Sequence, residues 1–154
     1  LRLTILNDLS PTDKGLELIR LAAHRANFFK LTALRSGYKQ TDPDTLFLLG
    51  LFSLLEPMLE MEMSEIVKQL PISKDLARGL CREERTLSVW IGLALRMENN
   101  DWKLADRIIK LLGVSPKAVA SSYYDAHVLA SAFFTATPQK EDANTLAELE
   151  MMPS

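Results

Sequence analysis

Apolar residues along this chain recur mostly at steps of three and four, the spacing of one face of an α-helix, and strict alternation is rare. Leu16, Ile19, Ala23 and Ala26 continue one another in this way, and Leu18, Ala22, Phe29 and Ala33 widen the stripe. Thr12 or Asp13 can cap its start, and Ser36-Gly37 supplies a left-handed stop. The pattern predicts a long first helix, apolar over so much of its girth that it lies inside a bundle. Thr41-Asp42-Pro43 opens a second helix that runs to Leu55 with hardly a polar residue. Gly50 and Ser53 are its small positions, where another helix can approach. Pro57 disturbs its end, and Met58–Met63 is expected to be a helix end plus connector, because helical spacing resumes at once in Ser64-Glu65-Ile66-Val67.

Shorter elements follow. Ser64–Leu70 is stopped by Pro71, and a helix capped by Ser73 carries Leu76, Leu80 and Cys81. Both are short enough to need the bundle to hold them. Thr86–Met97 puts Leu87, Trp90, Ile91 and Ala94 on one face, with Arg96 and Glu98 turning away. Asp101 caps Trp102–Leu112, whose stripe is Leu104, Ile108, Leu111 and Leu112, widened by Ala105 and ended by Gly113. Ser115-Pro116 pairs a cap with proline at the first helical position, opening a last long helix marked by Val119, Tyr123, Ala126, Ala130 and Phe133 and closed by Pro138. The expectation is an all-α protein, a compact multi-helix bundle of about six or seven helices over residues 1–137. Residues 138–154 form an acidic tail or docking helix with a small apolar set, Leu146, Leu149 and Met152.

Composition agrees with a packed domain: 47% hydrophobic and 25% charged residues exclude a disordered tail or a low-complexity linker. The net charge of −2 and pI of 5.7 give no general attraction to phosphate backbones or anionic lipid, so no nucleic acid or membrane partner is expected. The longest apolar run, Thr45–Leu55, falls short of the ~18–20 residues of a membrane span. A single cysteine, Cys81, makes neither an internal disulfide nor a cysteine zinc cage, which favours a reducing, cytoplasmic setting. A start at Leu1-Arg2-Leu3 suggests a piece of a longer protein.

Little in the sequence carries chemistry. His24 and His127 could join Asp101, Asp106 or Asp125 in a metal site, but there is no His-Asp dipeptide and no pair of histidines one turn apart. Asp125 and His127 stand two residues apart, on different helix faces, so they form no relay. The flanks of Cys81 fit no nucleophile motif, and such a residue is expected to pack as a small hydrophobe. The six glycines lie singly, without a phosphate-binding loop, so no cofactor is expected. Glu56, Glu60, Glu62 and Glu65, interleaved with Met58, Met61 and Met63, form an edge where flexible methionines could meet a partner.

Four segments in order, Gly50-Leu51-Phe52-Ser53-Leu54-Leu55-Glu56, Met63-Ser64-Glu65-Ile66-Val67, Leu70-Pro71-Ile72-Ser73 and Met97-Glu98-Asn99-Asn100-Asp101-Trp102, together resemble the HDOD domain of bacterial signalling proteins. The helix Leu21–Phe29 is similar to that family's Arg-Ala helix, so the resemblance spans Gly15–Lys103. The form it is most similar to stands behind a cyclic-di-GMP phosphodiesterase (EAL) module. The resemblance implies an all-α domain related to HD phosphohydrolases that has lost their metal-binding His and Asp residues. The family's N-terminal half and the EAL module are not in this sequence.

The resulting expectation is a non-catalytic signal-transduction module that binds a protein partner or another domain of its parent chain. Met58, Met61 and Met63 and the tail residues Leu146, Leu149 and Met152 are the contact candidates. The rivals are a divergent metal-dependent phosphohydrolase using His24 and His127, and a homodimerisation domain.

Overall fold

Helix α1 (Asp13–Ser36) is the spine of the bundle, and it ends where the sequence places its stop. Gly37 takes φ 65°, and the Tyr38 amide reaches back to the Ala33 carbonyl at 3.0 Å. The computed structural model describes residues 13–136, with side chains as far as Ala132. After α1 come α2 (Pro43–Phe52), α3 (Leu55–Leu59), α4 (Met63–Ile66) with a 3-10 turn at Val67–Gln69, α5 (Lys74–Leu80), α6 (Arg85–Glu98), α7 (Trp102–Leu112) and α8 (Pro116–Ala136). Among the described residues there is no strand, and the all-α bundle stands. The expected cap at Thr12, the stop at Pro138 and the tail lie outside the described residues.

Most helix starts are fixed by local hydrogen bonds. Asp42 accepts from the Asp44 amide at 3.1 Å, Ser73 from Leu76 at 3.2 Å, and Asp101 from Leu104 at 3.3 Å. Glu84 does the same for α6, accepting from Leu87 at 2.7 Å. The break after α2 falls four residues before Pro57, at Ser53-Leu54. A proline ring has no N–H and clashes with the carbonyl four residues earlier, so the helix must open there. Pro57 then sits in the first turn of α3, where it is tolerated.

α1 is flanked by α2 on one side and α8 on the other, while α6 packs on α7 and α5. Trp90, fully buried on α6, is met edge-on by Phe29 at 5.4 Å and Tyr38 at 5.2 Å. A second, smaller apolar cluster gathers Ala22, Leu54 and Met58 with Leu18, Ile19 and Leu51. The expected α1 stripe is buried at Ala22, Ala26, Phe29 and Ala33, whereas the α7 stripe is shifted. Leu111 is 63% exposed, whereas Ala105, Ile109 and Leu112 are buried. α7 carries two apolar ladders one residue apart, and periodicity alone does not say which one the neighbour covers. Leu16, at the start of the α1 stripe, is 39% exposed.

Candidate functional site

Of the four buried polar residues among those described, Thr32 and Ser122 stand apart, and His24 and Arg25 are neighbours on α1. His24 and Arg25 are 2% and 4% exposed, in a stretch of alanines and phenylalanines. Arg25 donates from Nε and Nη2 to the two carboxylate oxygens of Glu98 on α6, each at 2.7 Å, and from Nη1 to Ser53 Oγ at 3.1 Å. Ser53 Oγ in turn donates to the Gly50 carbonyl at 2.8 Å. Glu98, expected to turn away from the core face, instead folds onto it, because a buried guanidinium needs a counter-charge and a planar carboxylate matches its fork. Gly50 makes this possible: a Cβ there would lie 2.6 Å from backbone atoms of Arg25 and Ala26, so α1 and α2 cross in direct backbone contact. The small positions at Gly50 and Ser53 are thus an approach point, as the sequence suggested.

On the opposite side of α1, His24 Nε2 lies 3.1 Å from the Tyr123 carbonyl of α8. A carbonyl only accepts, so Nε2 carries the proton and Nδ1 the lone pair. The His24 ring lies 4.0 Å from that of His127, tilted by 31°, and meets Tyr123 edge-on at 4.6 Å. Burial lowers the His24 pKa below its ordinary value and outweighs the Tyr123 carbonyl, which raises it. The fold therefore does bring the two histidines together, over a hundred positions apart in sequence. The aspartates go elsewhere: Asp101 caps α7 and faces Arg96 at 3.7 Å, Asp125 is bound to Arg35 at 2.7 Å, and Asp106 is exposed. His24 Nε2 is already committed to a carbonyl, and no cluster of three metal-capable side chains occurs among the described residues.

The methionine edge is rearranged relative to expectation. Met58 and Met63 are 8% and 7% exposed and act as packing groups, so a contact role on this edge falls to Met61, which is 39% exposed. Glu60, Glu62 and Glu65 are exposed around it, whereas Glu56 accepts from the Met63 amide at 3.1 Å. Leu146, Leu149 and Met152 lie outside the described residues. Cys81 is half-buried against the core, and burial together with Glu83 and Glu56 pushes its thiol pKa up, the reverse of an activated nucleophile.

Sequence reasoning missed the outer face of α8. Tyr124 is 69% exposed, Val128 50% and Leu129 46%, with Ala120, Ser121 and Ala132 exposed around them. Between Lys117 and Ala132 the only formal charge is Asp125, already committed to Arg35. The signal was present in the sequence, since a helix this poor in charge is usually covered on more than one side. A groove of about 310 Å³ between α1, α2 and α3, lined by Ile19, Ala23, Leu51, Leu55 and Met58, is also apolar. A polar hollow of about 620 Å³ lies where α2, α5 and α6 begin, and its cap residues Asp42, Ser73 and Glu84 already accept from their own helices.

No family model matches the chain, and no solved structure matches it. It is similar to cyclic di-GMP phosphodiesterase CdgJ of Vibrio cholerae, 29% identical over 113 residues, which cover 73% of this chain and 26% of that protein. It is also similar to the uncharacterized protein YuxH of Bacillus subtilis, 29% identical over 86 residues, covering 56% of this chain and 20% of that one. The chain thus spans about a quarter or less of the curated relatives it matches. One of those relatives is named for cyclic-di-GMP chemistry, which makes a role related to signalling the coarse functional reading. No helix among the described residues is long and apolar enough to cross a membrane.

Proposed function

We propose that this chain is an HDOD-like regulatory module of a bacterial signalling protein connected to cyclic-di-GMP, acting in the cytoplasm by binding rather than by catalysis. The four-segment resemblance and the similarity to a cyclic-di-GMP phosphodiesterase support the signalling context. The observation that carries the binding role is the exposed outer face of α8. Tyr124 there is a rigid, amphipathic anchor with Val128 and Leu129 beside it, the kind of residue set that dominates interface energetics. The absence of charge between Ala126 and Ala132 suits an apolar partner face. We assign as partner another domain of the same polypeptide, because the chain covers only 26% of the phosphodiesterase it resembles.

A single reporter thiol tests this. Tyr124→Cys in a Cys81→Ser background is labelled with a maleimide, once in the isolated chain and once in the intact polypeptide that carries it. Labelling in the intact polypeptide should be slower by about tenfold, the protection expected from a covered anchor. Equal rates would remove the α8 face from the mechanism, and slowing that grows with concentration of the isolated chain would assign the face to a second copy instead.

A further inference from the structure

α8 is held chiefly by α1, with a slighter contact to α7. Its buried side chains are small: Ala118, Val119, Ser122, Ala126 and Ala130. Such a seam buries little apolar area per residue, so a polar contact within it weighs heavily on whether α8 stays seated. Across it run the Ser36–Ser115 bond, the Arg35–Asp125 ion pair and the contacts of His24 with the Tyr123 carbonyl and the His127 ring, and of these groups His24 is the fully buried titratable one.

With Nε2–H committed to the Tyr123 carbonyl, a further proton can enter His24 only at Nδ1. That atom is buried and has no hydrogen-bond partner among the described residues. A charge there would be desolvated, without an acceptor, and pressed against a second imidazole. The groups facing His24 offer no remedy. On its own helix stands the cation Arg25, on α8 stand His127 and Tyr123, and on α6 stands Glu98, both of whose oxygens are taken by Arg25. The nearby acid of α8, Asp125, is paired with Arg35.

The geometry points to a proton-operated latch: the contacts of His24 with the His127 ring and the Tyr123 carbonyl keep α8 seated on α1 while His24 is neutral, and acidification releases α8 while the rest of the bundle stays folded. The sign follows from linkage. Burial lowers the His24 pKa from 6.5 in the seated state, so the seated state binds fewer protons than the released one. Seating is at full strength above pH 6.5, weakens as pH falls below it, and stops weakening once pH is below the lowered value. Release would expose the face of α1 that carries Phe28, together with the inner side of α8.

Hydrogen exchange resolved by mass spectrometry, on the whole chain at neutral pH and at about pH 5, tests this with α6 as the internal reference. After correction for intrinsic rates, α8 amides should lose protection by about tenfold or more relative to α6 in acid. Two variants separate the latch from general acid unfolding. His24→Phe keeps an aromatic ring against Phe28 but cannot titrate, and should abolish the pH dependence. His127→Gln removes the second ring at an exposed position, so α8 should lose some protection already at neutral pH while α6 does not, and the His24 midpoint read by NMR titration of the imidazole protons should rise. Equal loss of protection in α6 and α8, an unchanged α8 in acid, or an undiminished pH dependence in His24→Phe would each overturn the proposal.

Discussion

Replacing Glu98 by glutamine removes one charge and almost no volume, and it should cost this protein far more than a surface substitution. Arg25 keeps only 5% of its side chain in contact with solvent and Glu98 17%, and the two share a fork of bonds at 2.7 Å. Glu98→Gln leaves the guanidinium buried without its counter-ion and turns an amide N–H₂ toward one of its donors. Breaking a buried pair in this way costs about 3–5 kcal/mol, and the partial exposure of Glu98 places the expectation near the lower end. Urea titration followed by helix circular dichroism at neutral pH measures it, and at this chain length the loss corresponds to a fall in Tm of about 6–12 °C. The difference from wild type should persist in high salt, because a desolvated pair is screened far less than an exposed one. Arg25→Met combined with Glu98→Met should recover most of the loss, since apolar residues of similar volume often replace a buried pair at little cost. A Glu98→Gln penalty below about 0.5 kcal/mol, or one that vanishes in salt, would show that the pair behaves as a surface contact and would refute the argument.

Gly50→Ala would set a methyl 2.6 Å from the backbone of α1, so its gain of about 1 kcal/mol in helix propensity should be overwhelmed and thermal melting should show a net loss of about 1–2 kcal/mol. Arg82 is exposed and holds φ 64°, so Arg82→Gly should stabilise the turn after α5 by up to about 1 kcal/mol in the same assay. Because the Cys81 thiol pKa is raised, alkylation by iodoacetamide near neutral pH should run slower than for a cysteine peptide, and Glu83→Gln should speed it; an unchanged rate in that variant would remove Glu83 as a cause.

What could be read from the chain follows the range of the interaction. Caps at Asp42, Ser73 and Asp101 and stops at Gly37 and Gly113 involve partners within a few residues, and the structure places them where the pattern did. The Arg25–Glu98 pair spans 73 positions and the His24–Tyr123 bond 99, so no local pattern encodes them. Arg25 nonetheless left a trace, being the one permanently charged side chain between Leu21 and Phe29, where burial obliges a partner. The burial of Met58 and Met63 could not be read from the chain, because alternating Met and Glu looks the same on a surface edge as at the rim of a core. In α7, neighbouring ladders were equally periodic, and only the position of α6 chose between them.

The antiparallel pairing of α1 and α8 has a mechanical consequence. Ser36 Oγ accepts from the Ser115 amide at 3.0 Å at one end of the pair, and the His24–His127 contact fixes the register nearer the other. At about 1.5 Å of rise per residue, Ala136 then comes level with the first turn of α1. The described chain enters and leaves the bundle side by side. Force that draws its two flanks apart is applied across the α1–α8 seam as a peel rather than a shear. It loads the contacts one at a time, beginning at the flanks and meeting the two histidines well before it reaches the serines.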